Sequence, residues 1–315
     1  MKSLPKILGV IVIAVVAALL AGLALFLEPD RPVESLTERW AQPPSQFVEV
    51  AGLRVHLRDE GPRDDAEPIL LLHGTSASLH TWEGWVAALR GTRRVITVDM
   101  PGFGLTGPAA DGDYSIAAYV RFVGAVLDTL GVQRAVVGGN SLGGQIAWEA
   151  AVAYPDRVSR LILVNAGGYA FTPEDMPIGF AIARTPVINK FMEWTLPRFM
   201  VEDSVHSVYG DPAKVDDALV DRYFELTLRE GNRAALIERF REPLSGQSAA
   251  LIPTIRVPTL VMWGGQDRLI PPAWAQRFHE DIAGSRLAMF DDLGHVPHEE
   301  DPARTVAAVQ AFLAP

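Results

Sequence analysis

Gly139-Asn140-Ser141-Leu142-Gly143 decides how this chain is read. Before it, Arg134-Ala135-Val136-Val137 is an apolar run suited to a buried strand. After it, Gly143-Gly144 opens a helical stretch from Gln145 to Tyr154. Strand, tight turn and helix together hold a serine on a sharp elbow, its hydroxyl raised above the end of a parallel sheet. Glycine two positions to either side lets backbone segments approach where a Cβ would stand in the way. Five residues alone are a weak signal, so their surroundings carry the weight.

Those surroundings supply the partners a serine nucleophile needs, in a consistent order. Pro68-Ile69-Leu70-Leu71-Leu72 is a buried-strand run ending in His73-Gly74-Thr75-Ser76. A glycine-containing turn at a strand's carboxyl end can aim a backbone N–H at a developing oxyanion. Further on, Thr259-Leu260-Val261-Met262-Trp263 leads into Gly264-Gly265-Gln266-Asp267, which places an acid on the loop after a strand. Last, Leu287-Ala288-Met289-Phe290 precedes Asp291-Asp292-Leu293-Gly294-His295, a histidine on a glycine-opened loop. Serine, acid and histidine follow one another in that order.

With these stations in place, the chain resembles the α/β-hydrolase superfamily from about Phe47 to Leu313, as a serine esterase- or lipase-like member. His73-Gly74, Asp99-Met100-Pro101-Gly102-Phe103-Gly104, Gly139 to Gly144, Trp263 to Asp267 and Gly294-His295-Val296-Pro297-His298-Glu299 carry the resemblance. It implies Ser141 as nucleophile, His295 as general base and Asp267 as the acid that orients the imidazole. The backbone N–H groups of Leu142 and Thr75 are the implied oxyanion donors, with Ser76 one residue away as an alternative. Among the other histidines, His298 is the close rival and reads as a packing or capping group. Asp291 and Asp292 are the rival acids. Asn165, at the end of the preceding strand, occupies a position where some relatives of this fold carry the acid. None of these stations calls for a cofactor or a metal.

The implied architecture is a mostly parallel, doubly wound sheet with an inserted helical cap: residues 47–166 and 253–315 form the core, and 167–252 the cap. Phe47–Val50 and Leu53–Leu57 read as an antiparallel edge hairpin. Ser115 caps a helix running to Leu130. Helical candidates in the cap fall at Ile178–Thr185, Val187–Phe199, Val215–Arg229 and Arg233–Arg241. Phe180, Phe191, Met192, Trp194, Phe199, Met200 and Phe224 are its candidates for an apolar acyl pocket.

The 315 residues carry a net charge of −10 and no basic cluster, which argues against a nucleic-acid partner. The absence of cysteine excludes disulfides and thiolate chemistry. Ile7 to Leu27 is uncharged and apolar. Its 21 residues would rise about 31 Å as a helix, enough for a bilayer. Lys2 and Lys6 ahead of it predict residues 1–6 on the cytoplasmic side, a single-pass anchor at 7–27, and a catalytic domain outside the cytoplasm. A cleaved secretory signal is the alternative. Residues 28–46, with four prolines, read as a linker, a tether or partly ordered arm.

Serine at the elbow, rather than aspartate, predicts an acyl-enzyme route, with a small carboxylic ester of short-to-medium or lipid-like chain as substrate. The alternatives are carbon–carbon hydrolysis of ring-cleavage dienoates, against which Val296 stands in place of an aromatic residue, and a non-catalytic binding module.

Overall fold

The computed structural model describes residues 9–17, 22, 26–172, 180, 184–185, 190 and 193–314. Its elements run α1 (Val33–Trp40), β1 (Gln46–Val50), β2 (Leu53–Glu60), β3 (Ile69–Leu72), α2 (Glu83–Leu89), β4 (Val95–Val98), α3 (Ile116–Thr129), β5 (Ala135–Asn140), α4 (Leu142–Ala153) and β6 (Val158–Val164). There follow α5 (Arg198–Val208), α6 (Asp217–Thr227), α7 (Asn232–Arg241), β7 (Thr259–Gly264), α8 (Ala273–Asp281), β8 (Arg286–Phe290), α9 (Pro297–Glu300) and α10 (Pro302–Leu313).

Eight strands form one sheet in the order β1-β2-β4-β3-β5-β6-β7-β8. The β1–β2 hairpin and the β2–β4 pair are antiparallel, and every pair from β4 to β8 is parallel. Apolar strands such as β3 and β7 are buried throughout because helices cover both faces. Their side chains alternate strictly between the two layers. Leu70, Leu72, Val137, Leu161, Leu163, Val261 and Trp263 pack with α3, α4 and α8. Ile69, Leu71, Val136, Ile162, Val164, Leu260 and Met262 pack on the other face with Trp82, Trp85 and the apolar stripe of α10. Ser115 caps α3 as its sequence predicts, its Oγ accepting from Ala118 N at 3.2 Å.

One expectation about the N-terminal region is corrected. Among the described residues no helix is long and apolar enough to cross a membrane. The anchor, and the placement of the domain outside the cytoplasm that was built on it, are therefore withdrawn. Residues 1–8, 18–21 and 23–25 lie outside the described residues.

Residues 28–46 form an arm docked on the domain. Val33, Leu36 and Trp40 share one face of α1, and Leu36 is buried against Leu105 and Leu226. Trp40 Nε1 donates to Glu225 at 2.6 Å, and Arg39 pairs with Glu225 at 2.9 Å and Asp221 at 3.2 Å. Arg31 is tied to the segment after α6 by its backbone: its N–H donates to Leu228 O at 2.7 Å, and its carbonyl accepts from Glu230 N at 2.8 Å.

The cap helices predicted near Val215–Arg229 and Arg233–Arg241 are α6 and α7. Those predicted at Ile178–Thr185 and Val187–Phe199 fall largely outside the described residues, as do Phe191 and Met192.

Candidate active site

Ser141 stands between the end of β5 and the start of α4, with φ +56° and ψ −116°. This is the strained elbow expected of a nucleophile. The elbow is possible because Gly143 has no side chain: a Cβ there would collide with the carbonyls of Leu72 and His73. Helix α4 thereby presses its first turn onto the end of β3. The turn after β3 is equally close, since a Cβ on Gly74 would lie 3.2 Å from Ser141 Cβ and 2.9 Å from Asn140 Oδ1. Leu142 is the first residue of α4, so its N–H has no carbonyl one turn earlier to bond. Thr75, Ser141 and Leu142 line a single pocket.

His295 and Asp267 meet on neighbouring loops, with Nδ1 and Oδ2 2.8 Å apart and both residues buried. Asp267 Oδ1 accepts from Leu269 N at 2.8 Å and Ile270 N at 3.0 Å, which fixes the carboxylate. Its Oδ2 also accepts from Asn165 Nδ2 at 2.7 Å. An anion so placed holds the imidazole with a proton on Nδ1 and leaves Nε2 as the basic nitrogen. Asn140 links the histidine to the elbow: its Nδ2 donates to His295 O at 3.0 Å and Val164 O at 3.1 Å. Ser141, the Thr75 turn, Asp267 and His295 therefore gather at the carboxyl ends of the parallel strands.

The rivals lie elsewhere. Asp292 is exposed and paired with Arg304, whose hydrogen bonds pull its carboxyl down to about 2. His298 is enclosed, its Nε2 3.0 Å from Thr81 Oγ1 and its ring 4.0 Å from Trp82. Burial holds its imidazole well below the ordinary range, so it packs as a neutral ring. His73 is structural: Nδ1 bonds Gly74 O at 2.7 Å, and Nε2 accepts from Met100 N at 3.0 Å.

Sequence reasoning missed several residues that build the site. Asn165 takes φ +45°, a conformation asparagine tolerates better than most residues, and that turns its amide toward Asp267. Glu300 is buried and accepts from Gly294 N at 2.8 Å and from Gly210 N and Asp211 N at 2.9 Å. It thus joins the histidine loop to the cap, as does the bond from His295 N to Val208 O at 2.7 Å. A second hub is Asp99, where His56, Leu79 N and Leu105 N converge within 2.8 Å. Burial disfavours its charge, but His56 and the hydrogen bonds outweigh that and keep the carboxyl far below its usual range. No acidic run or spacing announces these roles. Of the cap's apolar candidates, Phe180 lines the Ser141 pocket, Phe224 is buried, and Trp194, Phe199 and Met200 are exposed.

A serine on an elbow whose pocket Thr75 and Leu142 also line, together with a histidine held by a carboxylate, suits nucleophilic attack on a carbonyl. The match to the alpha/beta hydrolase family model spans residues 69–309. The chain belongs to the alpha/beta hydrolase family, and it is a hydrolase. A 2-hydroxymuconate semialdehyde hydrolase of Pseudomonas putida is 31% identical over 272 residues, covering 84% of this hydrolase and 92% of the relative. An uncharacterized protein of Mycobacterium tuberculosis is 31% identical over 303 residues, 90% of this chain and 84% of that one. Among solved structures, a meta-cleavage product hydrolase from Pseudomonas fluorescens superimposes with a TM-score of 0.73 at 26% identity, over 85% of this hydrolase and 96% of that chain.

Proposed function

We propose that this hydrolase cleaves a carbon–carbon bond in a 2-hydroxy-6-oxo-dienoate of the ring-cleavage type, using Ser141, His295 and Asp267. The observation that carries the reading is the similarity over most of both chains to hydrolases named for such substrates, the 2-hydroxymuconate semialdehyde and 2-hydroxy-6-oxo-2,4-heptadienoate hydrolases. It takes precedence over ester hydrolysis, the main expectation from the sequence.

The chemistry fits the same groups. The enol hydroxyl of the substrate gives up its proton and C5 gains one, so that C5 becomes a carbon able to leave. Ser141 Oγ attacks the C6 ketone as His295 Nε2 takes its proton, and the N–H groups of Leu142 and Thr75 hold the oxyanion. Collapse breaks C5–C6, its electron pair passes into the conjugated enone, and His295 returns the proton to the departing fragment. Water activated by His295 then releases the carboxylic acid and restores Ser141. Ester hydrolysis remains the second reading because Val296 follows His295, where dienoate hydrolases usually carry an aromatic side chain.

The test compares kcat/KM for 2-hydroxy-6-oxo-2,4-heptadienoate with that for p-nitrophenyl butyrate. At least a hundredfold preference for the dienoate is expected. A preference for the ester returns the protein to the esterases.

A further inference from the structure

The backbone of His295 is held from two sides. Its carbonyl accepts from Asn140 Nδ2 of the core at 3.0 Å, and its N–H donates to Val208 O of the cap at 2.7 Å. Its neighbours in the chain are divided in the same way. Leu293 O accepts from Gln266 N at 2.8 Å, on the core side. Gly294 nests against the cap, where a Cβ would collide with Val208 O and Gly210 N. Val296 is buried in one cluster with Val205 of α5 and Tyr209 just after it.

Two carboxylates of α9 complete this contact. Glu299 accepts from the Tyr223 hydroxyl at 2.8 Å and pairs with Arg222, both on α6. Glu300 has a fully buried side chain. Its Oε2 accepts from Gly294 N at 2.8 Å and Gly210 N at 2.9 Å, and its Oε1 from Asp211 N at 2.9 Å. Lys214 Nζ lies 3.8 Å from Oε1. Charge-assisted bonds of this kind are the strong ones, and three of them here need both oxygens of a carboxylate. An amide of the same shape has one acceptor oxygen and would set its –NH2 against a backbone N–H. If residues 208–211 move away, His295 N loses its acceptor. Glu300 then keeps one of its three backbone donors, which leaves a buried charge underpaired. These contacts therefore break together.

We infer that Glu300 is a positioning residue, and that it and residues 208–211 keep His295 in its catalytic place only while the cap is seated on the histidine loop. Ser141, Thr75 and Asp267 stand on loops of the core, so movement of this joint displaces the base relative to them. A shift of about 1 Å at a catalytic group can cost about 100-fold in rate. Seating of the cap is thereby a condition for proton transfer as well as for enclosing the substrate. The inference rests on the role proposed for His295 but not on which bond the hydrolase cleaves.

Two variants open the joint from opposite sides. Gly210→Ala sets a methyl group against Asp292 O and Gly294 N and leaves Glu300 and every catalytic side chain in place. Glu300→Gln keeps the shape of the side chain and removes its charge. Each is assayed on whichever of 2-hydroxy-6-oxo-2,4-heptadienoate and p-nitrophenyl butyrate the native protein turns over faster. In both variants kcat should fall at least tenfold with KM within threefold, because the described lining of the Ser141 pocket comes from other segments. The downfield proton of the His295 Nδ1–H bond to Asp267, read by 1H NMR, should broaden or vanish in both, which a purely structural role in a folded protein would not bring about. Native kcat in either folded variant, or a loss of rate with that resonance unchanged, overturns the inference. If thermal melting shows Gly210→Ala to be unfolded, Glu300→Gln decides; unfolding of both would make the joint a condition for folding and overturn the inference as well. His295→Ala separates this from the role of His295 itself. Activity within tenfold of native there removes the base assignment, whereas an inactive His295→Ala beside fully active Gly210→Ala and Glu300→Gln keeps the base and removes the joint.

Discussion

Ser141 stands in a backbone conformation that serine seldom takes, and the cost of such strain, about 1–3 kcal/mol, is borne by the glycines and strand ends packed around it. The hydroxyl is thereby presented to a pocket instead of being satisfied by its own helix. Ser141→Ala should lower kcat by at least about 10³-fold on any substrate the protein turns over, since the remaining groups lack a nucleophile. Activity within tenfold of the native protein would move the nucleophile elsewhere. Asn165 acts through Asp267: its amide donates to the oxygen that holds His295. Asn165→Ala should reduce kcat roughly 10- to 100-fold with KM little changed, as loss of an orienting partner does at comparable sites. An equal loss through KM would instead assign Asn165 to binding. The positions of Ser141, Asp267 and His295 on strand-end loops were legible in the sequence because each loop is marked by glycine. Asn140 and Asn165 were not, because their value depends on which carbonyl or carboxylate the fold sets opposite them.

At the scale of elements, the arm at residues 28–46 and the cap behave as one unit with the core. α1 buries Leu36 between core residue Leu105 and cap residue Leu226, and its charged face pairs with α6. The exposed ion pairs contribute little each, so the buried side chains carry most of the docking energy. Leu36→Ala should cost roughly 2–4 kcal/mol, read as a lower urea midpoint. Deleting residues up to Gln42 should lower the midpoint at least as far. An unchanged midpoint in both would mean that the arm rests on the surface without holding it. Glu300 works similarly between the histidine loop and the cap, where one carboxylate closes three backbone N–H groups. The sequence shows helices such as α3 and α6 by their periodicity. It does not show which of them the arm will cross.

Over the whole molecule, buried histidines make stability depend on pH. Burial pushes the His80 imidazole down to about 4, against the pull of Asp99, and also lowers His73 and His298. In the unfolded chain these rings take up protons near pH 6.5, while in the folded chain they stay neutral to lower pH. Their contribution is therefore complete above pH 6.5 and is lost as pH falls toward 4, by roughly 3 kcal/mol for His80 alone. Urea midpoints measured between pH 7 and 4.5 should fall steeply, and less steeply in His80→Gln; parallel slopes would remove His80 from the account. The same burial separates what was readable from what was not. By itself the sequence determined the mostly parallel sheet and the strand-end loops on which Ser141, Asp267 and His295 stand, because short apolar runs ended by glycine are local signals. Only the tertiary structure decided that the proline-rich arm is docked and that Glu300 ties the loop of His295 to the cap. Those outcomes depend on side chains distant in sequence meeting in space, where burial turns an ordinary polar residue into one that must find a partner.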